Sequence, residues 1–288
     1  MADKRPPAAK PAAAYAADSA KPVTVTTLLD MKRKGLKIAM MTAYDFPTAR
    51  ISEEAGVDVV LVGDSVGMTK LGYESTLPVT VEEMLHHVKA VKRGLGRALL
   101  IADMPYLSYE IDPREAVRHA GRFLKEGGAH AVKLEGGMEV APTVKELLKV
   151  NVPVVGHLGL TPQAVNRLGG YKVQGRRPED AERILTDARV LEASGCCAVV
   201  LECVPAELAK EITKRLQIPT IGIGAGPHCD GQVLVSDDLL GLTEGGPTKF
   251  VKRYADLRGL AVKAVCDYCR DVRDGSFPGP EHSFSAKT

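Results

Sequence analysis

Four short apolar runs in this chain each close on an acidic residue: VVLVGD at Asp64, LLIAD at Asp103, AVKLE at Glu135 and VVLE at Glu202. Turn residues (Gly, Pro or Ser) follow each of them, and buried strands seldom finish on carboxylates by accident. Asp64 to Asp103 is 39 residues, Asp103 to Glu135 is 32 and Glu135 to Glu202 is 67. These intervals read as one, one and two repeats of a strand-helix unit of roughly 30 residues, the size expected of a (β/α)8 barrel. In such a barrel the carboxylates share one rim, the C-terminal end of the strands, where the chemistry of this fold sits.

The rest of the chain is consistent with that reading. Strand-like runs recur at KIAMMTA (37–43), VDVVLVGD (57–64), RALLIADMP (97–105), AHAVKLEG (129–136), VPVVGHLG (152–159), CAVVLECVP (197–205), PTIGIGAG (219–226) and GQVLVSDDLLG (231–241). Their nearly continuous Val, Ile, Leu and Ala content predicts parallel strands buried on both faces. Helical patterns fill most of the gaps (TARISEEAG, TVEEMLHHVKAVKRG, DPREAVRHAGRFLKEGG, PEDAERILTDARVLEASG), and Gly56, Gly94, Gly127 and Gly195 are read as their C-terminal stops. The eighth run follows the seventh too closely for a helical crossover, so one of the two is read as a long loop or as an atypical closing strand. A single (β/α)8 barrel over 23–273 is the reading, with tails at 1–22 and 274–288; a doubly wound open sheet is the alternative.

Composition excludes several classes. With 38 basic and 36 acidic residues the net charge is +2, which gives no reason to expect a nucleic acid or an acidic membrane surface as partner. No apolar run approaches the ~20 residues of a membrane span. The Ala- and Pro-rich head lacks a secretory pattern, and Asp3 and Asp18 speak against a transit peptide. The six cysteines show no metal-like pairing beyond Cys266-x-x-Cys269, which lies on a helical pattern without a second ligand pair. A reducing, cytoplasmic setting is expected. Phosphate-loop, nucleophile-elbow and H-E-x-x-H patterns are missing, and GIGAGP (222–227) lacks dinucleotide spacing and is read as a tight rim loop.

Asp64 and Asp103 together could hold a divalent cation, since a hard ion such as Mg²⁺ needs only one or two protein carboxylates. Helix capping is the competing role for each. Lys133 and Glu135 are two apart in one strand and share a face. Lys133 could pair with a substrate carboxylate, or merely neutralise Glu135 or Glu202. His157 lies near the expected substrate position, with a structural hydrogen-bonding role as the alternative. Glu202 is a candidate general base where apolar surroundings raise its pKa.

TAYD (42–45), LVGDSVGMTKLGYESTLPVT (61–80), ADMPY (102–106), VKLEGG (132–137), GHLGLTPQ (156–163), LECVP (201–205) and IGIGAGPHCDGQVLVSDDLLGL (221–242) resemble the ketopantoate hydroxymethyltransferase family, in unbroken order over about residues 23–260. The resemblance implies a barrel of the phosphoenolpyruvate mutase and isocitrate lyase superfamily. It implies transfer of a hydroxymethyl group from 5,10-methylenetetrahydrofolate to 3-methyl-2-oxobutanoate through a Mg-stabilised enolate, giving ketopantoate on the way to pantothenate and coenzyme A. By the same resemblance, Asp64 and Asp103 would coordinate one Mg²⁺ per subunit, with Glu135 joining directly or through water. Asp64, Ser65, Asp103 and Lys133 would contact the keto acid, Glu202 would accept the proton, and the protein would assemble as a homo-oligomer, a decamer. The competing readings are a carbon-carbon lyase or phosphonate mutase of the same superfamily, and a non-catalytic barrel that binds a keto acid.

Overall fold

A computed structural model describes residues 21–245 and 248–286, so the expected tail at 1–22 lies outside it except for its last two residues. The chain divides into two compact units, one running to Val235 and one starting at Ser236.

The first unit contains eight parallel strands that close on themselves in sequence order: β1 (Ile38–Thr42), β2 (Val59–Val62), β3 (Leu99–Asp103), β4 (Ala131–Glu135), β5 (Val154–Gly159), β6 (Ala198–Glu202), β7 (Thr220–Ile223) and β8 (Gly231–Leu234). β8 pairs with β1 through Ile38↔Gly231 to Met41↔Leu234, which completes the barrel and rules out the open sheet. All residues of β2, β3 and β4 are buried, as runs covered on both faces require. Helix α1 (Val25–Arg33) precedes β1, and the helices between the strands are α2 (Phe46–Glu54), α3 (Val66–Thr69), α4 (Val81–Gly94), α5 (Pro113–Lys125), α6 (Ala141–Lys149), α7 (Val165–Leu168), α8 (Pro178–Ala193) and α9 (Ala206–Arg215). Local chemistry starts them. Thr80 and Glu83 form a reciprocal capping box at α4, and Asp112 caps α5 with Pro113 in its first turn.

Two apolar clusters hold the unit together. The larger packs the helices onto the outside of the barrel around Phe123, Met84, Leu100, Leu134 and Leu147. The smaller fills the barrel interior with Met40, Val59, Leu61, Leu99, Ile101, Ala131, Val155, Ala198, Val200, Ile221 and Val233, and Val23 and Leu28 from the N-terminal segment join it. Alternation along each strand then decides what stands above that plug. Asp103 follows Leu99 and Ile101 in parity; Lys133 and Glu135 follow Ala131; His157 follows Val155; Glu202 follows Ala198 and Val200. The polar rim therefore continues the interior face of the same strands.

The seventh and eighth runs are both strands, each of four residues, and only seven residues connect them. A strand that short rises about 13 Å, and a connection of this length spans up to about 25 Å when extended, so a parallel return needs no helix. GIGAGP supplies its start, with Gly224 and Gly226 at positive φ. The run expected to continue as strand to 241 turns helical instead, as α10 (Ser236–Leu240) in the second unit. Gly56 and Gly195 do stop helices at positive φ, but Gly94 is the last residue of α4 and Gly128, not Gly127, takes the left-handed conformation after α5.

The second unit carries α10 and α11 (Leu257–Asp274), the latter ending on Gly275 at positive φ. Cys266 and Cys269 lie on α11, and all six cysteines are free thiols. Among the described residues no helix is long and apolar enough to cross a membrane.

Gly159 is the tightest joint beneath the rim. It adopts φ +96°, pairs in register with Glu202, and leaves no room for a Cβ beside the Glu202 carbonyl oxygen. Gly159→Ala is expected to destabilise the protein by about 1–3 kcal/mol in urea melts, and to displace the end of β6. A change within about 0.5 kcal/mol would show that the joint is not constrained.

Candidate active site

The rim side chains form one continuous buried chain of charge. Lys133 Nζ lies 2.9 Å from Asp103 Oδ1 and 3.2 Å from His157 Nδ1. His157 Nδ1 is 3.2 Å from Glu135 Oε1, and its Nε2 is 3.1 Å from Glu202 Oε2. Asp103 Oδ1 and His157 Nε2 meet these partners as ion pairs rather than as well-aligned hydrogen bonds. Asp103 Oδ2 accepts from the backbone N–H of Asp64 at 3.1 Å. Gly63 makes room for this: a Cβ there would stand 3.3 Å from Asp103 Oδ2.

Burial separates the members. The side chains of Asp103, Lys133, Glu135 and His157 are 3–5 % exposed, whereas that of Glu202 is 17 % exposed. Glu202 is thus the member of the chain with access to the open side of the rim. Ser65 stands beside Asp64 at the start of α3 and shares a 2.8 Å hydrogen bond with Tyr44 Oη.

The electrostatics follow from crowding. Burial pushes the Asp64 carboxyl well above the usual range, and the charges of Asp103 and Glu135 push it further. Burial also raises Asp103, against the downward pull of Lys133. For Lys133, burial favours the neutral amine, but Asp103, Glu135 and Asp64 outweigh it and hold the ammonium charged. Burial and Lys133 likewise disfavour a charged His157, but the Glu135 and Glu202 carboxylates beside its ring raise its pKa to about 9. Four carboxylates thus face two cations, Lys133 and His157, and the cluster is short of positive charge.

All the residues expected from the sequence converge here: Asp64, Ser65, Asp103, Lys133, Glu135, His157 and Glu202. Two residues to which the sequence reading gave no role join them. Gln163 Nε2 donates to Asp64 Oδ2 at 2.8 Å and to the Met104 carbonyl at 3.0 Å, and its backbone N–H donates to Glu135 Oε2 at 3.0 Å. Tyr109 Oη donates to Gln163 Oε1 at 2.7 Å and accepts from the Glu135 N–H at 3.1 Å. Gln163 lies in the GHLGLTPQ string, the one signal that could have drawn attention to it.

Chemically, the arrangement offers a partly open carboxylate, a fixed ammonium, and an under-neutralised pair of aspartates on one rim.

Comparison with known proteins places the chain in a family. The sequence profile of the family described as ketopantoate hydroxymethyltransferase matches residues 22–280. The chain is 56% identical over 263 residues to 3-methyl-2-oxobutanoate hydroxymethyltransferase of Thermoanaerobacter sp. (strain X514), covering 91% of this chain and 96% of the relative. It is 57% identical over 262 residues to the protein of the same name from Syntrophotalea carbinolica, covering 91% and 98%. Among solved structures, a phosphonopyruvate hydrolase complexed with oxalate and Mg²⁺ superposes with a TM-score of 0.59 at 13% identity, over 90% of this chain and 92% of that one. A 2,3-dimethylmalate lyase of the PEP mutase/isocitrate lyase superfamily superposes with a TM-score of 0.56 at 14% identity, over 91% of each chain. At that identity the two structures speak for the fold alone.

Proposed function

The chain belongs to the ketopantoate hydroxymethyltransferase family, and we propose that it transfers the one-carbon unit of 5,10-methylenetetrahydrofolate to 3-methyl-2-oxobutanoate. The products are ketopantoate and tetrahydrofolate, in the route to pantothenate. The observation that carries this reading is the buried alternation Asp103, Lys133, His157, Glu202 beside Asp64, which sets a carboxylate base and an ammonium on one rim. We extend the proposal to a barrel domain spanning 23–273, a decameric assembly and a cytoplasmic setting.

The residues fit a hard divalent cation. Asp64 and Asp103 are both buried, Asp64 N–H donates to Asp103 Oδ2 at 3.1 Å, and the two carboxylates repel each other, the condition that a dication relieves. Among the described residues no three His, Cys, Asp or Glu side chains are placed to hold a metal ion together, so the fit rests on the two aspartates. An ion held by two carboxylates keeps its other positions for water and substrate oxygens. Both carboxylate oxygens of Glu135 already have protein partners, which suits a contact through water. When bound, the cation would supply an electrophilic pull on the keto oxygen, acidifying the hydrogen on C3 of the keto acid.

The chain's own groups do the rest. Lys133 pairs with the substrate carboxylate and fixes which end of the keto acid enters. The Glu202 carboxylate accepts the C3 proton, with His157 Nε2 3.1 Å from its Oε2. Water adds to the methylene carbon of the folate, the carbon–nitrogen bonds break and tetrahydrofolate leaves, releasing the one-carbon unit at the oxidation level of formaldehyde; the carbon freed of its proton adds to that carbonyl, whose oxygen takes up a proton and becomes the new hydroxyl. His157, with Glu135 and Glu202 at its two ring nitrogens, orients both carboxylates and need not touch the substrate.

The test is ketopantoate formation from 3-methyl-2-oxobutanoate and 5,10-methylenetetrahydrofolate, with Mg²⁺ and with EDTA. Product is expected with the metal and folate, and at least about 10²-fold less without the metal. Turnover that is indifferent to EDTA would remove the metal from the account.

A further inference from the structure

We infer that Gln163, locked by Tyr109, is a positioning residue that presents Asp64 to the divalent cation with one carboxylate oxygen left open. This rests on the proposed metal chemistry and adds to it a pair of residues outside the coordinating set.

The hydrogen bonds admit only one orientation of the amide. The Glu135 N–H donates to Tyr109 Oη, and the phenol proton has two acceptors, Gln163 Oε1 at 2.7 Å and the Glu135 carbonyl at 3.2 Å; the reversed amide would turn its oxygen onto Asp64 Oδ2 and the Met104 carbonyl, so the oxygen is the atom that faces Tyr109. The NH₂ end then meets two acceptors, Asp64 Oδ2 and the Met104 carbonyl, and both its protons are used. Gln163 is 7% exposed and Tyr109 is 2% exposed, so water does not replace these bonds. No other described residue hydrogen bonds to the Asp64 carboxylate, which leaves Oδ1 open for a ligand. The same residue holds Glu135 Oε2 through its backbone N–H, so Asp64 and Glu135 are set relative to each other by Gln163. Partners of this kind outside the coordination sphere typically govern metal affinity about 10–100-fold.

Calorimetric titration of metal-free protein with Mg²⁺, without substrate, tests this in the parent, Gln163→Met and Tyr109→Phe. Gln163→Met, close in length but unable to donate, is expected to weaken Mg²⁺ binding about 10–100-fold; Tyr109→Phe, which unlocks the amide but keeps it, is expected to weaken it by up to about tenfold. Saturating Mg²⁺ is expected to restore kcat, because the defect lies in holding the metal and not in the chemistry. A purely structural role would leave the dissociation constant of the folded variant unmoved, and a dissociation constant within twofold of the parent in both variants overturns the inference. A loss of kcat that no Mg²⁺ concentration relieves overturns it too. Should Gln163→Met not fold, the Tyr109→Phe titration decides by the same criteria. A parent that binds no Mg²⁺ overturns the metal reading itself, and with it this inference; a parent that binds while the variants bind equally well overturns the inference alone.

Discussion

Glu202→Gln is expected to lower kcat for ketopantoate formation about 10²–10⁴-fold, the range of a lost general base. The amide keeps the shape of the side chain and can still accept from His157 Nε2, which lies 3.1 Å from Glu202 Oε2. Packing and the remaining charge chain are therefore preserved, and what disappears is the ability to take a proton. Because Glu202 stands at the partly open end of that chain, its replacement should leave Mg²⁺ binding near the parental value. Steady-state kinetics with a parallel metal titration separate the two effects. A loss of less than about tenfold would reassign the base.

Lys133→Met should act on both stability and binding. The substitution removes an ammonium that faces Asp103 at 2.9 Å inside a cluster already short of positive charge. Breaking one side of a buried pair leaves an uncompensated carboxylate, at a cost of about 3–5 kcal/mol. Urea melts in EDTA should register that loss, since no metal is then present to take over the neutralisation. The same variant should raise the KM for the keto acid about 10–100-fold, as the loss of a charge-assisted hydrogen bond of about 1.5–3 kcal/mol implies. A destabilisation under about 1 kcal/mol would mean that the carboxylates find their neutralisation elsewhere.

How much of this was legible in the sequence depends on where each residue's role originates. Asp103, Glu135 and Glu202 end apolar strands, so charge at the close of a buried run marked them directly. The two-residue spacing of Lys133 and Glu135 put both on one face, and the structure turns that face inward. Asp64 is different: it lies two residues beyond β2, off the strand's alternation, and its place beside Asp103 depends on a backbone N–H that no periodicity reveals. Gln163 and Tyr109 were illegible for a related reason. Tyr109 comes from the loop after β3 and Gln163 from a single 3-10 turn after β5, and their contact with Asp64 and Glu135 exists only once β2, β3, β4 and β5 are side by side. The overextended eighth strand failed on chemistry: LLG after SDD is as compatible with a buried helical turn as with a strand, and a short apolar run does not decide between them.

The central claim is that this rim removes the C3 proton of the keto acid with Glu202 as the acceptor. Hydrogen exchange at C3 of 3-methyl-2-oxobutanoate, followed by proton NMR in D₂O with enzyme and Mg²⁺ and no folate, tests it most directly. The account predicts enzyme-dependent loss of the C3 proton signal, suppressed by EDTA and by Glu202→Gln. Parental rates of exchange in Glu202→Gln, or ketopantoate formation by an enzyme that exchanges no C3 hydrogen, would contradict it.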